Sequence, residues 1–556
     1  MTEFGSHRRW LQAGVLAAGV GAAMVGAAGV AGAAPDDATG DSPGVSAGRS
    51  AATTPSARKT MRANLNRGAG KTAVTRGTSS APVAVSRAAR GVQAAVQRGA
   101  VAQSATTTAS ATQASTQASS LGFSLPVGPI RAALYAAQAY IYGYPLMEYE
   151  RVRSVVGPNL NTLYNLTEFA NPDVDPICFA IGGGKRPNVD TFYSVAELDL
   201  TDGPVVLSIP DMGDRYYSWQ LTDPYTNVSG YIGSNTTGSG PGEYAITWTG
   251  GPAVDVPGAT VIEVPYASML MLGRTLAGDA ADQNIARALI AQYTLTPTAT
   301  GPNNAVLPAN CTGIAYLNGI SDAMTQNPPP TPEDDAILAT MAQIGVGVGM
   351  QVSDANLGPL ALLAADIAVK FTAALLPPLT QVIQTVSAIQ NHGWAIPNKN
   401  IGNYGTDYLL RAGVAEVGLV ANTQDEAMYE AGLLDSWYLP LFSILPGKKY
   451  TLHFDAGSPP PAEAFWSVTV YDANGGLVPN SEGRYSVSSS RPAELVYQPD
   501  GSINIIFSRT DPGDPTSNWL ALPFGGFSAY LRMYVPDQAA QDRIWTPPPI
   551  RFAGFF

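Results

Sequence analysis

Histidine is nearly missing from this chain of 556 residues: three occur, and His7 lies among the first ten. The other two, His392 and His453, are too few for a histidine-rich metal centre or a two-imidazole mechanism. Cysteine is scarcer still. Cys178 and Cys311 are the only two, and neither stands in a CxxC pair, so zinc-ribbon and dithiol redox motifs are excluded. No GxSxG elbow marks a strand-to-helix junction. No metal or cofactor is expected. Charged residues make up 13% of the chain, and beyond Ser120 there are 19 basic against 39 acidic ones, a net charge of about −20. Nucleic acid is therefore not an expected partner. From Ala34 to Ser120 there is no aromatic residue at all, which rules out a packed core over that stretch.

The beginning of the chain reads as an address. Arg8 and Arg9 precede an uncharged run, Leu11 to Ala33, that ends in Ala31-Gly32-Ala33. This pattern predicts a signal peptide over residues 1–33, cleaved before Ala34, and a secreted or cell-envelope location in a bacterium. A retained membrane anchor is the alternative. Residues 34–122 are rich in Ala, Ser and Thr, with ten Lys or Arg and three Asp. They predict a disordered basic linker, either a plain spacer or a segment resting on anionic lipid or wall polymer. In an oxidising compartment Cys178 and Cys311 can form a disulfide; two buried thiols are the equal alternative.

The remainder alternates between two textures. Residues 123–277 open with a helix at Ile130 to Val152, bearing five tyrosines whose hydroxyls are expected to find partners along a helix–sheet seam. Short β-branched or aromatic segments follow: Phe192 to Leu198, Val205 to Ile209, Tyr216 to Leu221, Val228 to Ile232, Ala245 to Thr249 and Thr260 to Val264. Residues 278–445 read as a helical bridge. Helices are expected at Asp279 to Tyr293, from Thr331 to about Ile344, at Ala361 to Ala374, at Leu379 to Asn391, at Tyr408 to Ala421 and at Asp425 to Leu434. Pro377-Pro378 separates the middle pair. Residues 446–556 return to strands at Lys449 to Phe454, Phe465 to Tyr471, Glu494 to Tyr497, Ile503 to Phe507 and Phe527 to Tyr534. The fold class is mainly β with a helical bridge (α+β): two jelly-roll or β-sandwich-like domains joined by helices.

Hydrogen-bonding side chains crowd into Asn188 to Gly233. Asp190, Tyr193, Arg215 and Tyr217 form the candidate catalytic group, with Arg215 able to grip a carboxylate or phosphate bidentately or to pair with a core acid such as Asp190. Gln220, Tyr225 and Asn227 are candidate ligand-binding residues. Asp211 suits a β-turn better than catalysis, and Asp223 and Asp472, also near strand ends, are open to acid–base work or to turn formation. His453 suits a hydrogen-bonded strand position and His392 a helix C-terminus. Arg484-Tyr485 and Arg532-Met533-Tyr534 repeat the arginine–tyrosine texture in the second β region, which points to a structural arginine in each sheet.

Two segments carry a family resemblance. NVDTFYSVAELDLTDGPVVLSIPDMGDRYYSWQLTDPYTNVSGYIGSNTTG resembles the DUF1254 domain. YTLHFDAGSPPPAEAFWSVTVYDANGGLVPN, with the later GRYSV, DGSINIIF and NWLALPFGGFSAYLRMYVP, resembles the DUF1214 domain. The resemblance covers roughly Tyr140 to Pro549 and implies two jelly-roll-like domains bridged by helices, in a family of often exported bacterial proteins without an assigned reaction. The functional expectation is a hydrolase-like enzyme acting on a small or envelope-derived substrate. The alternative is a non-catalytic envelope protein that binds a glycan or lipid fragment.

Overall fold

Strands whose two faces are both covered need no polar alternation, and this governs the central sheets here. The computed structural model describes residues 127–172, 186–253, 255–305, 307, 312–330, 332–441 and 448–555. The expected signal peptide and linker, and both cysteines with their disulfide, lie outside the described residues. The first β region pairs two sheets. One runs β1-β2-β8-β4-β5 and uses Tyr164–Leu166 (β1), Thr191–Asp199 (β2), Tyr217–Thr222 (β4), Val228–Gly233 (β5) and Ser268–Leu276 (β8). The other runs β7-β6-β3-β9, from Val205–Ile209 (β3), Gly242–Trp248 (β6), Thr260–Val264 (β7) and Thr294–Pro297 (β9). Phe192, Leu198, Trp219 and Leu221 of the first sheet meet Leu207 and Ile246 of the second in a shared core. Gly273 of β8 lies under the Trp219 ring, where a Cβ would come within 2.8 Å of it.

The second β region repeats the plan. Its five-stranded sheet runs β10-β11-β17-β13-β14, from Trp394–Ala395 (β10), Ala427–Gly432 (β11), Ala462–Asp472 (β13), Ser486–Ser488 (β14) and Phe527–Pro536 (β17). Its partner runs β16-β15-β12-β18, from Lys448–Phe454 (β12), Ile503–Ser508 (β15), Asn518–Ala521 (β16) and Arg551–Phe555 (β18). Trp466, Val468, Leu531 and Met533 pack against Leu452, Ile505 and Phe507. The two β regions meet through Tyr216, Phe465 and Tyr534. The Phe465 and Tyr534 rings stack at 4.2 Å, and the Tyr216 hydroxyl donates to Glu426 Oε1 at 2.6 Å.

A helical layer covers the outer face of the first five-stranded sheet and reaches the second. It comprises α1 (Pro129–Val156), α3 (Gly313–Gln326), α4 (Asp335–Ala342), α5 (Pro359–Gln390) and α6 (Tyr408–Gly418), while α2 (Ala280–Ile290) sits on the first sandwich. Asp279 caps α2 by accepting from the Ala281 and Asp282 amides. The alanines of α1 at 132, 133, 136 and 139 leave room for α5 and α3 to approach closely; a Cβ on Gly143 would already collide with Ile320 of α3. Val195, Leu270 and Leu272 turn away from the sandwich core and pack on Tyr149, Val152 and Leu419. Tyrosine hydroxyls of α1 do find partners: Tyr149 reaches the sheet, donating to Glu197 at 2.6 Å, while Tyr142 and Tyr144 donate to Asp334 and Glu416 of the helical layer.

Three local expectations need correction. The two helices expected on either side of Pro377-Pro378 are one helix, α5, with both prolines inside it. The segment expected as a helix at Asp425 to Leu434 is strand β11, because Met428 faces the second sandwich core while Tyr429 lies opposite Arg532 on the other face. Glu494 to Tyr497 is not a strand. Glu430 of β11 is 2% exposed with one carboxylate oxygen unpartnered, and burial pushes its carboxyl up to about 8. Because the folded value exceeds the ordinary 4.5, folding holds a proton there. Stability should fall as pH rises from about 4.5 to about 8 and stay low above it. Glu430→Gln is expected to flatten that slope and to stabilise the fold at pH 9 by on the order of a few kcal/mol, read from urea midpoints. Parallel slopes in the two proteins would sink the assignment.

Candidate functional site

Between the helical layer and the two five-stranded sheets lies a cavity of about 1430 Å³. Its helical wall is mainly apolar: Phe371, Leu375, Leu379 and Ile383 come from α5, Val414 and Val417 from α6, with Thr380 and Gln384 among the polar exceptions. Its sheet wall is polar and aromatic. Tyr193 and Arg274 come from the first sheet; Tyr429, Tyr530, Arg532 and Tyr534 come from the second. Each central strand thus supplies one guanidinium, Arg274 from β8 and Arg532 from β17, and each of these residues is 4% exposed.

Neither guanidinium has a carboxylate within salt-bridge reach among the described residues. Arg274 donates to Gln220 Oε1 at 2.8 Å, to Asn422 Oδ1 at 3.0 Å and to the Val420 carbonyl at 2.8 Å. Arg532 donates to Tyr471 Oη at 2.7 Å, to Thr469 Oγ1 at 3.2 Å and to the Arg186 carbonyl at 3.0 Å. Burial works against the charge on Arg274, but the surrounding phenols, Tyr429 and Tyr193 foremost, outweigh it and leave the group more firmly protonated than usual. Burial pushes the Tyr534 and Tyr530 phenols above their ordinary value, so both stay neutral through the physiological range.

The residues singled out from sequence do not gather in one place. Tyr193 lines the cavity. Gln220 stands directly behind it, holding Arg274 and donating to the Ala421 carbonyl at 3.1 Å. Arg215 is elsewhere: its partner is Asp282 of α2, at 2.5 and 2.9 Å, rather than Asp190, and this pairing draws the Asp282 carboxyl below its ordinary value. Asp190 is fully buried and ties the two β regions together by accepting from Arg491 and Ser486 at 3.1 Å each. Tyr217 points into the first sandwich and donates to the Gly238 carbonyl at 2.8 Å. Tyr225 is buried in the helical core and donates to the Asn327 carbonyl at 2.8 Å. Asn227 closes a turn onto Asp223. The pocket expected around Asp190, Tyr193, Arg215, Tyr217 and Asn227 is therefore not formed, because the two charged members are neutralised by separate local partners.

The residues that matter to the cavity and were passed over are Arg274, Tyr429 and Tyr530. Their signal is a cation or phenol inside an otherwise apolar strand, as in SMLMLGRTL. Asp211 and Asp472 behave as turn formers, each accepting a backbone amide two residues on. His453 is held at a strand surface by Asn504 and Asp455, and His392 sits at a positive φ of 54° just beyond α5. Among the described residues no group of three or more His, Cys, Asp or Glu is placed to hold a metal.

A family model described as a protein of unknown function, DUF1254, matches residues 179–297. A second, DUF1214, carries the same description and matches 443–538. This chain is a DUF1254/DUF1214 domain protein. Arg274 falls within the first matched segment and Arg532 within the second, whereas the apolar helical wall comes from chain outside both. The fold is shared with the VPA0106 protein from Vibrio parahaemolyticus, at 21% identity and a TM-score of 0.55, over 76% of this chain and 100% of that one. An uncharacterised protein from Burkholderia cenocepacia aligns over 75% of this chain and 88% of its own, at 13% identity and a TM-score of 0.37. No curated protein matches the chain.

The Arg215–Asp282 pair gives a direct test of this rearranged site. Arg215→Leu is expected to cost about 1–2 kcal/mol of stability, since the pair is partly solvent-screened, and to leave ligand uptake by the cavity within about twofold. Calorimetry and a binding titration on the same sample check both halves. A large loss of binding with unchanged stability would return Arg215 to the site.

Proposed function

We propose that this is a non-catalytic, exported envelope protein that holds a lipid-like fragment in the cavity between its helices and sheets. The observation that carries this reading is the cavity itself, about 1430 Å³ with a mainly apolar wall from α5 and α6. Pockets of several hundred Å³ already enclose most of a small ligand's surface, and burying methylene groups along such a wall supplies roughly 0.8 kcal/mol for each one removed from water. The leader read from Arg8 to Ala33 supports export.

Hydrolysis is the weaker reading on the same lining. A hydrolase needs a base within reach of its water or nucleophile and a pKa near the working pH. Among the described residues the cavity is lined by no histidine, cysteine or glutamate, and by one carboxylate, Asp407, which caps α6 by accepting from the Leu410 amide. The carboxyls that burial lifts towards neutrality are Asp223, Glu197 and Glu430, and none of them lines it.

Purified protein stripped of co-purifying lipid is expected to bind the apolar fluorophore N-phenyl-1-naphthylamine saturably. Val414→Trp and Leu379→Trp, which fill the helical side, should each weaken that binding at least roughly tenfold, equivalent to the loss of about 1.4 kcal/mol of contact. Melting curves should show both variants folded. Uptake that does not saturate, or that ignores both tryptophans, would overturn the proposal.

A further inference from the structure

Resting on that binding reading, we infer that the ligand is an anionic amphipath: an acyl chain ending in a carboxylate or phosphate that is held by Arg274 and Arg532 together, one from each β region. The charge of the lining points one way. Among the described residues five cationic side chains border the cavity, Arg186, Arg274, Lys399, Arg532 and Arg543, against the single acid Asp407. This is the reverse of the body as a whole, which is acidic. Lys399 has a distant partner in Asp542 at 3.8 Å, and Arg543 donates to the Pro397 carbonyl. Arg274 and Arg532 are different, because each is buried and offered only neutral acceptors.

The nearby acids make no direct contact with either guanidinium. Asp190 takes Arg491 and Ser486 on Oδ1 and reaches Arg532 only through its field, and Glu426 accepts from Tyr216 and Asn235. Glu430 does not line the cavity. A buried cation without a carboxylate in contact is costly, and here two border the same void. An oxyanion entering that void would supply the missing charge to both.

Three further observations fit a head group in this place. A chain of contacts leads from one arginine to the strand position facing the other: Arg274 donates to Asn422 Oδ1, Asn422 Nδ2 donates to Tyr429 Oη at 2.5 Å, and Tyr429 lies directly across from Arg532 in the β11–β17 register. The Tyr530 hydroxyl is buried without a hydrogen-bond partner, on a residue that is 7% exposed and lines the cavity. Its ring lies 5.2 Å from the Arg186 guanidinium carbon and 5.9 Å from that of Arg532, so this unused donor stands at the cationic end. The opposite wall is the mainly apolar surface of α5 and α6, which suits a chain and carries no cationic side chain. Arginine forks match carboxylate and phosphate oxygens alike, so the shared chemistry is the oxyanion.

Four ligands with one sixteen-carbon chain test this on the full protein: palmitate, hexadecyl phosphate, hexadecanol and hexadecyltrimethylammonium, each titrated below its micellar concentration. One or both anions should bind roughly tenfold to a hundredfold more tightly than the alcohol, the range expected for a charge-assisted hydrogen bond, and the better of the two identifies the head group. Arg274→Gln and Arg532→Gln should each erase that preference while leaving hexadecanol within about threefold. Should either arginine variant fail to fold, Tyr530→Phe removes a single hydroxyl and should lower anion affinity a few-fold with alcohol binding and melting temperature unchanged. Equal binding of alcohol and anions, or preference for the ammonium, overturns the inference and leaves the binding reading standing. If no chain binds at all, the binding reading itself falls.

Discussion

A guanidinium taken out of water must collect its hydrogen bonds from whatever oxygen surrounds it, and two such groups organise this protein. Arg274 draws β4, through Gln220, and the segment after α6, through Val420 and Asn422, onto the first sheet. Arg532 draws β13, through Thr469 and Tyr471, and the chain entering β2, through the Arg186 carbonyl, onto the second. All these acceptors are neutral. The arginines therefore hold the structure together without a carboxylate in contact, and both face the space they border. Replacing either cation's acceptors with carboxylates would make a more ordinary core and a cavity of no particular chemistry.

The architecture was readable where a strand obeys a simple rule. Val205 to Ile209 and Thr260 to Val264 fall where their β-branched residues and flanking turns place them, and most other strands shift by one to three residues at their ends. What escaped was governed by tertiary burial. Strand β8 is the clearest case. With Met269 and Met271 facing the sandwich and Leu270 and Leu272 facing helices, its sequence shows no alternation to detect, although it is the central strand. Missing β8 meant missing Arg274. Strand β11 was misread for a related reason: AMYEAG has good helix formers, and only pairing with β17 decides its state.

The candidate site shows the same limit from another side. A dense polar block in sequence does identify the right sheet, since Tyr193 and Gln220 both end at or just behind the cavity wall. It does not say which charges survive folding. Arg215 meets Asp282 from a helix 67 positions on, and Asp190 meets Arg491 some 301 positions on. Such pairings are set by packing of elements far apart in the chain, and no local pattern announces them. Conversely, a cation that stays unpaired is recognised only when every neighbour is known.

The two prolines in α5 carry one more implication. Neither Pro377 nor Pro378 can donate an amide, so the carbonyls of Ala373 and Ala374 lose their partners one turn back. Ahead of that break the helix buries Ala361, Ala364, Ala365, Ala368, Val369, Thr372 and Leu376; beyond it only Ala388 is buried. The same stretch forms one side of the cavity through Leu379, Ile383 and Ser387. Local opening costs least where few contacts are given up. The half of α5 beyond the prolines is thus held by fewer buried residues than the half before them, and that weaker half lines the cavity.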